Sequence, residues 1–296
     1  MRCKRCSQKA IWSNPPLCKR HFILAFESKV KKTIAHYKLL EKDDKLIVGV
    51  SGGKDSLTIL YLLKKWDYQV TALAIDEGIA GYREHTLVDV KKFCRRYKIP
   101  YHIVSFQDIF GKTLDAALSI LQEKPCTVCG AFRRYLLNKK ARELGAEKLV
   151  MGHNLDDEAQ AVLMNFFKNH LDALARTGVR TGIVDDALFV PRVKPLYFCL
   201  EKEVLLYAYL HGFVSQYVEC PNTREAFRAD VGSLLNALEI SYSGSKKRII
   251  KRHLRDLLLL KKHFVHGVPS RCKHCGEPSH GDVCKACLFA GKLLKV

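Results

Sequence analysis

The chain has 296 residues, 48% of them hydrophobic and only 9 of them proline, enough to bury a sizeable core and incompatible with wholesale disorder. The 50 Lys and Arg against 30 Asp and Glu leave a net charge of +20, which favours a polyanionic partner, RNA or DNA ahead of a membrane surface. No stretch approaches the roughly 20 apolar residues of a membrane span, and MRCKRCSQKA lacks the apolar run of a signal peptide, so a soluble, cytoplasmic protein is expected.

The twelve cysteines fall largely into CxxC pairs, a grouping that suits metal binding in a reducing compartment better than disulfides. CKRC at 3–6 and CKRH at 18–21 open the chain and supply Cys3, Cys6, Cys18 and His21, a Cys₃His set of the kind tetrahedral zinc needs. With little core of its own, such a segment needs the metal to fold. Basic residues between the ligands, among them Arg5, Lys19 and Arg20, are either RNA contacts or a solvated surface.

Beyond this module, strands and helices alternate. KLIVGV (45–50) predicts a strand followed by a helix over 55–65, and VTALAID (70–76) a strand followed by the helical EHTLVDVKKFCRRY. YHIVSF (101–106) precedes two helical segments, at about 114–121 and 131–144, and KLVMGH (148–153) precedes one long helix over 156–175. Apolar strands without strict alternation, separated by helices with apolar residues at three and four spacing, predict a doubly wound α/β core with a parallel sheet covered on both faces. FVPRVKPLY (189–197) reads as an extended connector, and helices dominate 201–264. CKHCG (272–276) and CKAC (284–287) then offer Cys272, Cys275, Cys284 and Cys287 as a structural Cys₄ zinc set. The expected organisation is an N-terminal zinc finger (1–24), a catalytic α/β domain (25–200), a helical region (201–266) and a C-terminal zinc finger (267–296).

In doubly wound folds ligands sit at the carboxyl ends of the strands, where three polar clusters occur: VSGGKDS, AIDEG and GHNLDDE. Gly52 and Gly53 let backbone N–H groups approach an anion, and the helix that follows adds a favourable partial charge. The loop is not GxxxxGK[ST]. SGGKDS instead resembles the PP-loop of ATP pyrophosphatases, which cleave between the α and β phosphates and adenylate a substrate oxygen. The resemblance implies that Lys54 neutralises phosphate charge, that Asp55 helps hold Mg²⁺, and that Ser51 and Ser56 supply hydroxyl donors. It also implies that Gly152 permits close approach of the nucleotide and that Asp157, in preference to Asp156, binds Mg²⁺ or acts as general base. Ala74, Ile75 and Asp76 are candidates to line the adenosine pocket.

PCTVCG (125–130) has no second pair nearby. A thioredoxin-like dithiol is one reading; the other adds Cys220 of ECPN to Cys126 and Cys129, three ligands for a [4Fe-4S] cluster with one iron open to exogenous sulfur. Cys94 and Cys199 read as isolated core thiols.

Taken in order, the terminal cysteine modules, SGGKDS, PCTVCGAFRR, GHNLDDEAQ and ECPN resemble the tRNA 2-thiouridine synthetase family across the whole chain. That resemblance places Cys220 with the central pair and implies the cluster, ATP with Mg²⁺, two structural Zn²⁺, a tRNA substrate and a homodimer. The implied sulfur source is a ubiquitin-like carrier with a C-terminal thiocarboxylate, or inorganic sulfide. Arg133, one helical turn beyond Cys129, is then placed for a nucleotide phosphate. The basic stretch 243–263 would track the tRNA backbone, with a membrane-surface helix or a solvated face as the other readings. The motifs serve targets at uridine 34 and uridine 54 alike. Three competing functions remain: a thiolase using a cysteine persulfide without a cluster, an ATP-dependent amide ligase, and a non-enzymatic zinc-ribbon RNA-binding protein.

Overall fold

The computed structural model describes residues 1–183, 186–213, 220–223, 227–265, 270–279 and 281–294. The N-terminal module is a hairpin of β1 (Trp12–Ser13) and β2 (Pro16–Leu17) that runs directly into α1 (Lys19–His36). The buried stripe Phe22, Phe26, Val30 and Ile34 follows the four-residue spacing of an amphipathic helix. α1 continues without a break through residue 24, where a domain boundary was expected, so the finger is fused to the core through a shared helix. The boundary expected at 266/267 lies outside the described residues.

The core then alternates as expected: β3 (Leu46–Val50), α2 (Lys54–Lys65), β4 (Val70–Asp76), α3 (Arg83–Arg96), β5 (Tyr101–Ser105), α4 (Phe106–Phe110), α5 (Leu114–Leu121), α6 (Pro125–Glu143) and β6 (Lys148–Met151). After β6 come α7 (Leu155–Phe167), α8 (Leu171–Ala175), β7 (Arg180–Thr181), β8 (Arg192–Val193), α9 (Glu201–Leu210), a 3-10 turn (Pro221–Thr223), α10 (Phe227–Ser241) and α11 (Ser245–His263). β9 (Ser270–Arg271), β10 (Pro278–Ser279) and α12 (Lys285–Leu293) form the C-terminal module.

The sheet order is β5-β4-β3-β6-β8-β7, parallel throughout except for β7 on one edge. The strands feed two cores. Leu46, Val48 and Val50 of β3 with Ala72 and Ala74 of β4 face the layer of α1, α2 and α9, while Ile47, Leu73 and Ile75 face the layer of α5, α6 and α12. Burial on both faces explains why these strands lack alternation: each fully buried Leu or Ile contributes about 1.5–3 kcal/mol whichever side it meets. The C-terminal module docks on the second core through Ala286, Phe289 and Leu293, with Phe289 edge-on to Phe132 of α6.

Three expectations about local structure are corrected. The 131–144 helix begins six residues earlier, at Pro125: proline is favoured at the first helical position, so both cysteines of PCTVCG lie inside α6. The long helix over 156–175 divides into α7 and α8, with Asn169 at φ 52° reversing the chain between them. Within the connector 189–197, Arg192 and Val193 form β8, a short strand paired with β6 and limited by Pro191 before it and Pro195 two residues on.

Candidate active site at the switch point

β3 lies between β4, which follows it in sequence, and β6, which follows only after α6, so the sheet reverses its order there. The ends of β3 and β6 therefore open a crevice, and SGGKDS and GHNLDDE meet across it. In the first loop Ser51 N donates to Ser56 Oγ (3.2 Å), Ser56 Oγ donates to Gly53 O (3.0 Å), and Gly53 N donates to Ser51 Oγ (3.3 Å). The two serines thus hold the loop's shape. Gly52 has φ 91°, and a Cβ there would lie 2.5 Å from the carbonyl oxygen of Thr86, so glycine is required on both counts.

A cavity of about 160 Å³ opens at this point. Its walls include Ser51, Asp55, Ser56, Ile75, Arg133, Gly152 and Asp157 from the predicted site. Gly53 and Lys54 begin α2 beside the cavity without lining it, and the Ala74 side chain faces the opposite core. Asp76 folds onto its own turn, accepting from Gly78 N at 3.0 Å.

The second loop is pinned against the first. Asn154 caps α7 by accepting from the backbone N–H of Asp156 (2.9 Å) and of Asp157 (3.1 Å), and its side-chain nitrogen donates to Asp55 Oδ1 at 2.9 Å. Gly152 completes the fit, because a Cβ at that position would sit 2.9 Å from the backbone of Asp55 and Ser56. Gly152→Ala is accordingly expected to push the loops apart and cost about 1–3 kcal/mol, the usual penalty of overpacking; urea unfolding measures the loss.

The charges of the crevice are strongly perturbed. Lys54 Nζ lies 3.1 Å from Asp55 Oδ2 and 2.8 Å from Glu201 Oε1. Burial opposes its charge, but the two carboxylates outweigh burial and raise its pKa. Asp55 is raised by burial, in part offset by Lys54 and by the Asn154 amide. Burial also raises Asp157 to about 6; Arg228, at 3.2 Å, opposes the shift and Asp55 adds to it. Two mutually repelling carboxylates at one cavity make a donor set suited to a divalent cation. Asp156 turns the other way, into a buried pair with Lys246, and accepts from Glu201 N at 2.8 Å.

Sequence reasoning missed Glu77, Arg83 and His153, all of which line the cavity. Glu77 pairs with Arg83 Nε at 2.8 Å and with Arg133 Nε at 3.2 Å. An acidic residue directly after a strand end, in AIDEG, was the available signal for Glu77. The buried Arg83 carries none, because α3 begins in sequence like any surface helix.

Arg133 lines the cavity and stands one helical turn beyond Cys129 on α6. Cys126 and Cys129, three residues apart, share a face of α6, and Cys220 approaches them from just before the 3-10 turn. Cys126 Sγ lies 3.9 Å from the carbonyl oxygen of Asn222, and Cys129 and Cys220 pack on the same core as Tyr82. Burial pushes the Cys129 thiol up to about 11, with Arg133 opposing, and raises Cys220 as well.

The terminal sets differ. Cys3, Cys6, Cys18 and His21, and likewise Cys272, Cys275, Cys284 and Cys287, hold their ligand atoms within 4.8 Å of one another. The Sγ pairs at 3.7 Å (Cys6 and Cys18) and 3.8 Å (Cys275 and Cys284) match the spacing of about 3.8 Å that a tetrahedral ion with Zn–S bonds of about 2.3 Å imposes. Among the described residues Cys126, Cys129 and Cys220 form no set this tight. Cys94 and Cys199 are buried in the first core.

No helix among the described residues is long and apolar enough to cross a membrane. α11 turns Lys247, Arg248, Lys251, Arg252, Arg255 and Lys262 to solvent, while Lys246 and His253 of the same stretch are buried.

Residues 23–227 match the family model of the PP-loop domain. The tRNA-5-methyluridine(54) 2-sulfurtransferase of Pyrococcus horikoshii is 38% identical over 295 residues, covering 98% of this chain and 94% of that one. The cytoplasmic tRNA 2-thiolation protein 1 of Aspergillus niger is 38% identical over 306 residues, covering 99% and 89%. The solved structure of the U34-tRNA thiolase NcsA from Methanococcus maripaludis with its [4Fe-4S] cluster superposes with a TM-score of 0.86 at 36% identity, covering 99% of this chain and 96% of that one. With the PP-loop at the switch point and cysteine sets at both ends and in the middle, the chain belongs to the tRNA 2-thiolation family of PP-loop proteins.

Proposed function

We propose that the chain is an ATP-dependent tRNA 2-thiouridine synthetase. The observation that carries this reading is Arg133, which lines the nucleotide crevice one helical turn beyond Cys129 on α6, so that adenylation and sulfur delivery share one wall. Uracil O2 attacks the α-phosphorus of ATP and pyrophosphate departs; sulfur then adds at C2, and AMP leaves with the original oxygen. Adenylation is needed because an unactivated carbonyl oxygen is a poor leaving group.

In this reading Lys54 exchanges its Glu201 partner for phosphate, and Arg133 takes a share of the developing charge. Asp55 and Asp157 hold Mg²⁺, while Ser51, Gly52, Gly53 and Ser56 cradle the phosphates. The adenosine lies along Ile75, with Gly152 at its side and the Ala74 side chain turned away. Cys126, Cys129 and Cys220 would hold the [4Fe-4S] cluster, which when bound supplies an iron free to accept exogenous sulfur. Zn²⁺ in the two terminal sets stabilises modules too small to fold unaided. The sulfur comes from a ubiquitin-like carrier or inorganic sulfide, the protein acts in the cytoplasm as a homodimer, and α11 tracks the tRNA backbone.

Anaerobic protein incubated with tRNA, ATP, Mg²⁺ and sulfide tests this reading. The expected product is 2-thiouridine, formed in step with AMP and pyrophosphate, and mapping it assigns position 34 or 54. ADP with phosphate as products would refute adenylation, and full activity in iron-free protein would refute the role of the cluster.

A further inference from the structure

Two arginines, one on α6 and one on β8, have no carboxylate partner among the described residues. Arg134 follows Arg133 on α6, and Arg192 begins β8. Their neighbours are compensated: Arg133 by Glu77, Arg176 by Asp172 and Arg228 by Asp157. Arg192 Nη2 is instead spent on the backbone oxygen of Arg134, at 3.1 Å, which fixes its guanidinium against α6. The Arg134 guanidinium folds back over Gly130, where a Cβ would stand 2.9 Å from Nη1. The glycine directly after Cys129 therefore makes room for that cation.

Cations held this way repel each other. Burial and Arg134 together lower Arg192 to about 10, and Arg134 is lowered by burial, by Arg133 and by Arg176, with the Cys129 thiol opposing. An anion between them would relieve the repulsion, and two guanidinium groups suit the paired oxygens of a phosphate. Neither Arg134 nor Arg192 lines the cavity beside the PP-loop, whereas Arg133 does. The ATP phosphates are thus already provided for elsewhere.

We propose that Arg134 and Arg192, with room made by Gly130, form a phosphate seat for the RNA backbone next to the nucleotide whose base enters the crevice. The seat rests on the tRNA reading above. It takes a phosphodiester oxyanion and sets the register of the RNA without reading its sequence. Arg134 reaches back to the residue after Cys129, so the seat sets the RNA beside the cysteine-bearing end of α6.

The test uses the full chain with its cluster and zinc, comparing wild type with Arg192→Gln, Arg134→Gln and Arg192→Lys. Filter retention of tRNA over a salt series gives Kd and its log–log slope; a non-hydrolysable ATP analogue and iron analysis report on the neighbouring sites. Each glutamine variant is expected to raise the tRNA Kd by about tenfold and to reduce the slope by about one. ATP-analogue affinity and iron content stay as in wild type, and Arg192→Lys falls between, keeping charge but losing the fork. An unchanged tRNA Kd and slope in both folded glutamine variants would overturn the seat. A matching drop in ATP-analogue affinity with tRNA binding intact would assign the anion to ATP instead and overturn the RNA assignment. Wild-type protein that fails to retain tRNA at all would remove the tRNA reading itself, and the seat with it.

Discussion

Cys220→Ala is expected to abolish thiolation and cluster binding together while leaving the fold and both zinc sets in place. Anaerobically prepared wild type should carry about four irons and four sulfides per chain, and the variant a small fraction of that. The expectation follows from the ligand count, since two cysteines on one turn of α6 cannot hold a cluster that three share. The fold should survive because the Cys220 side chain is only half-buried and the removed sulfur lies at the edge of the second core. The terminal cysteine sets are far along the chain and self-contained, so the metal content expected there serves as the internal control. ATP binding should also persist, because Cys220 does not line the nucleotide cavity. A variant that keeps its iron and its activity would remove Cys220 from the ligand set. One that loses iron yet thiolates tRNA at the wild-type rate would refute the role of the cluster.

Lys54→Met should reduce tRNA-dependent pyrophosphate release by about 10²–10³-fold, the scale on which enzymes lose rate when one transition-state charge partner is removed. Methionine keeps much of the stem volume, so the buried packing of this 8% exposed side chain is spared. Its loss leaves Asp55 and Glu201 facing each other without their shared cation. The stability penalty should stay below the roughly 3–5 kcal/mol of a fully buried broken pair, because the Glu201 side chain is 45% exposed. Glu201→Gln separates the two effects: it retains the Lys54 charge and should adenylate far better than Lys54→Met. Equal pyrophosphate release by Lys54→Met and wild type would show that Lys54 belongs to the fold and not to the chemistry.

Much of the architecture was legible because its signals are short-range. β3, β4, β5 and β6 appear where apolar runs meet glycine-rich or acidic turns. The errors came at boundaries that depend on context. PCTVCG was expected to precede the helix over 131–144, yet Pro125 starts the helix there and Val128 inside the motif is fully buried. FVPRVKPLY looked like a linker because its two-residue strand exists only through pairing with β6. Ala74 looked like a pocket residue, but strand alternation sends its side chain to the other face, between two neighbours that do face the crevice layer.

By itself the sequence determined the sites whose ligands are close in the chain: the two terminal metal sets, the serine-braced PP-loop and the capped start of α7. Their geometry follows from spacing along a turn or a helix end. Only the tertiary structure decided that the turn after Cys220 packs against α6 at Cys126, that Glu77 binds Arg83 and Arg133 together, and that Glu201 holds Lys54. It also set Lys246 of the basic helix against Asp156 rather than in solvent. Each of these contacts joins segments distant in sequence, and each exists because the sheet places β6 beside β3 and so gathers the ends of remote elements around one crevice. Residue spacing encodes a turn; strand order, settled by burying both faces of the sheet at once, encodes the meeting of turns.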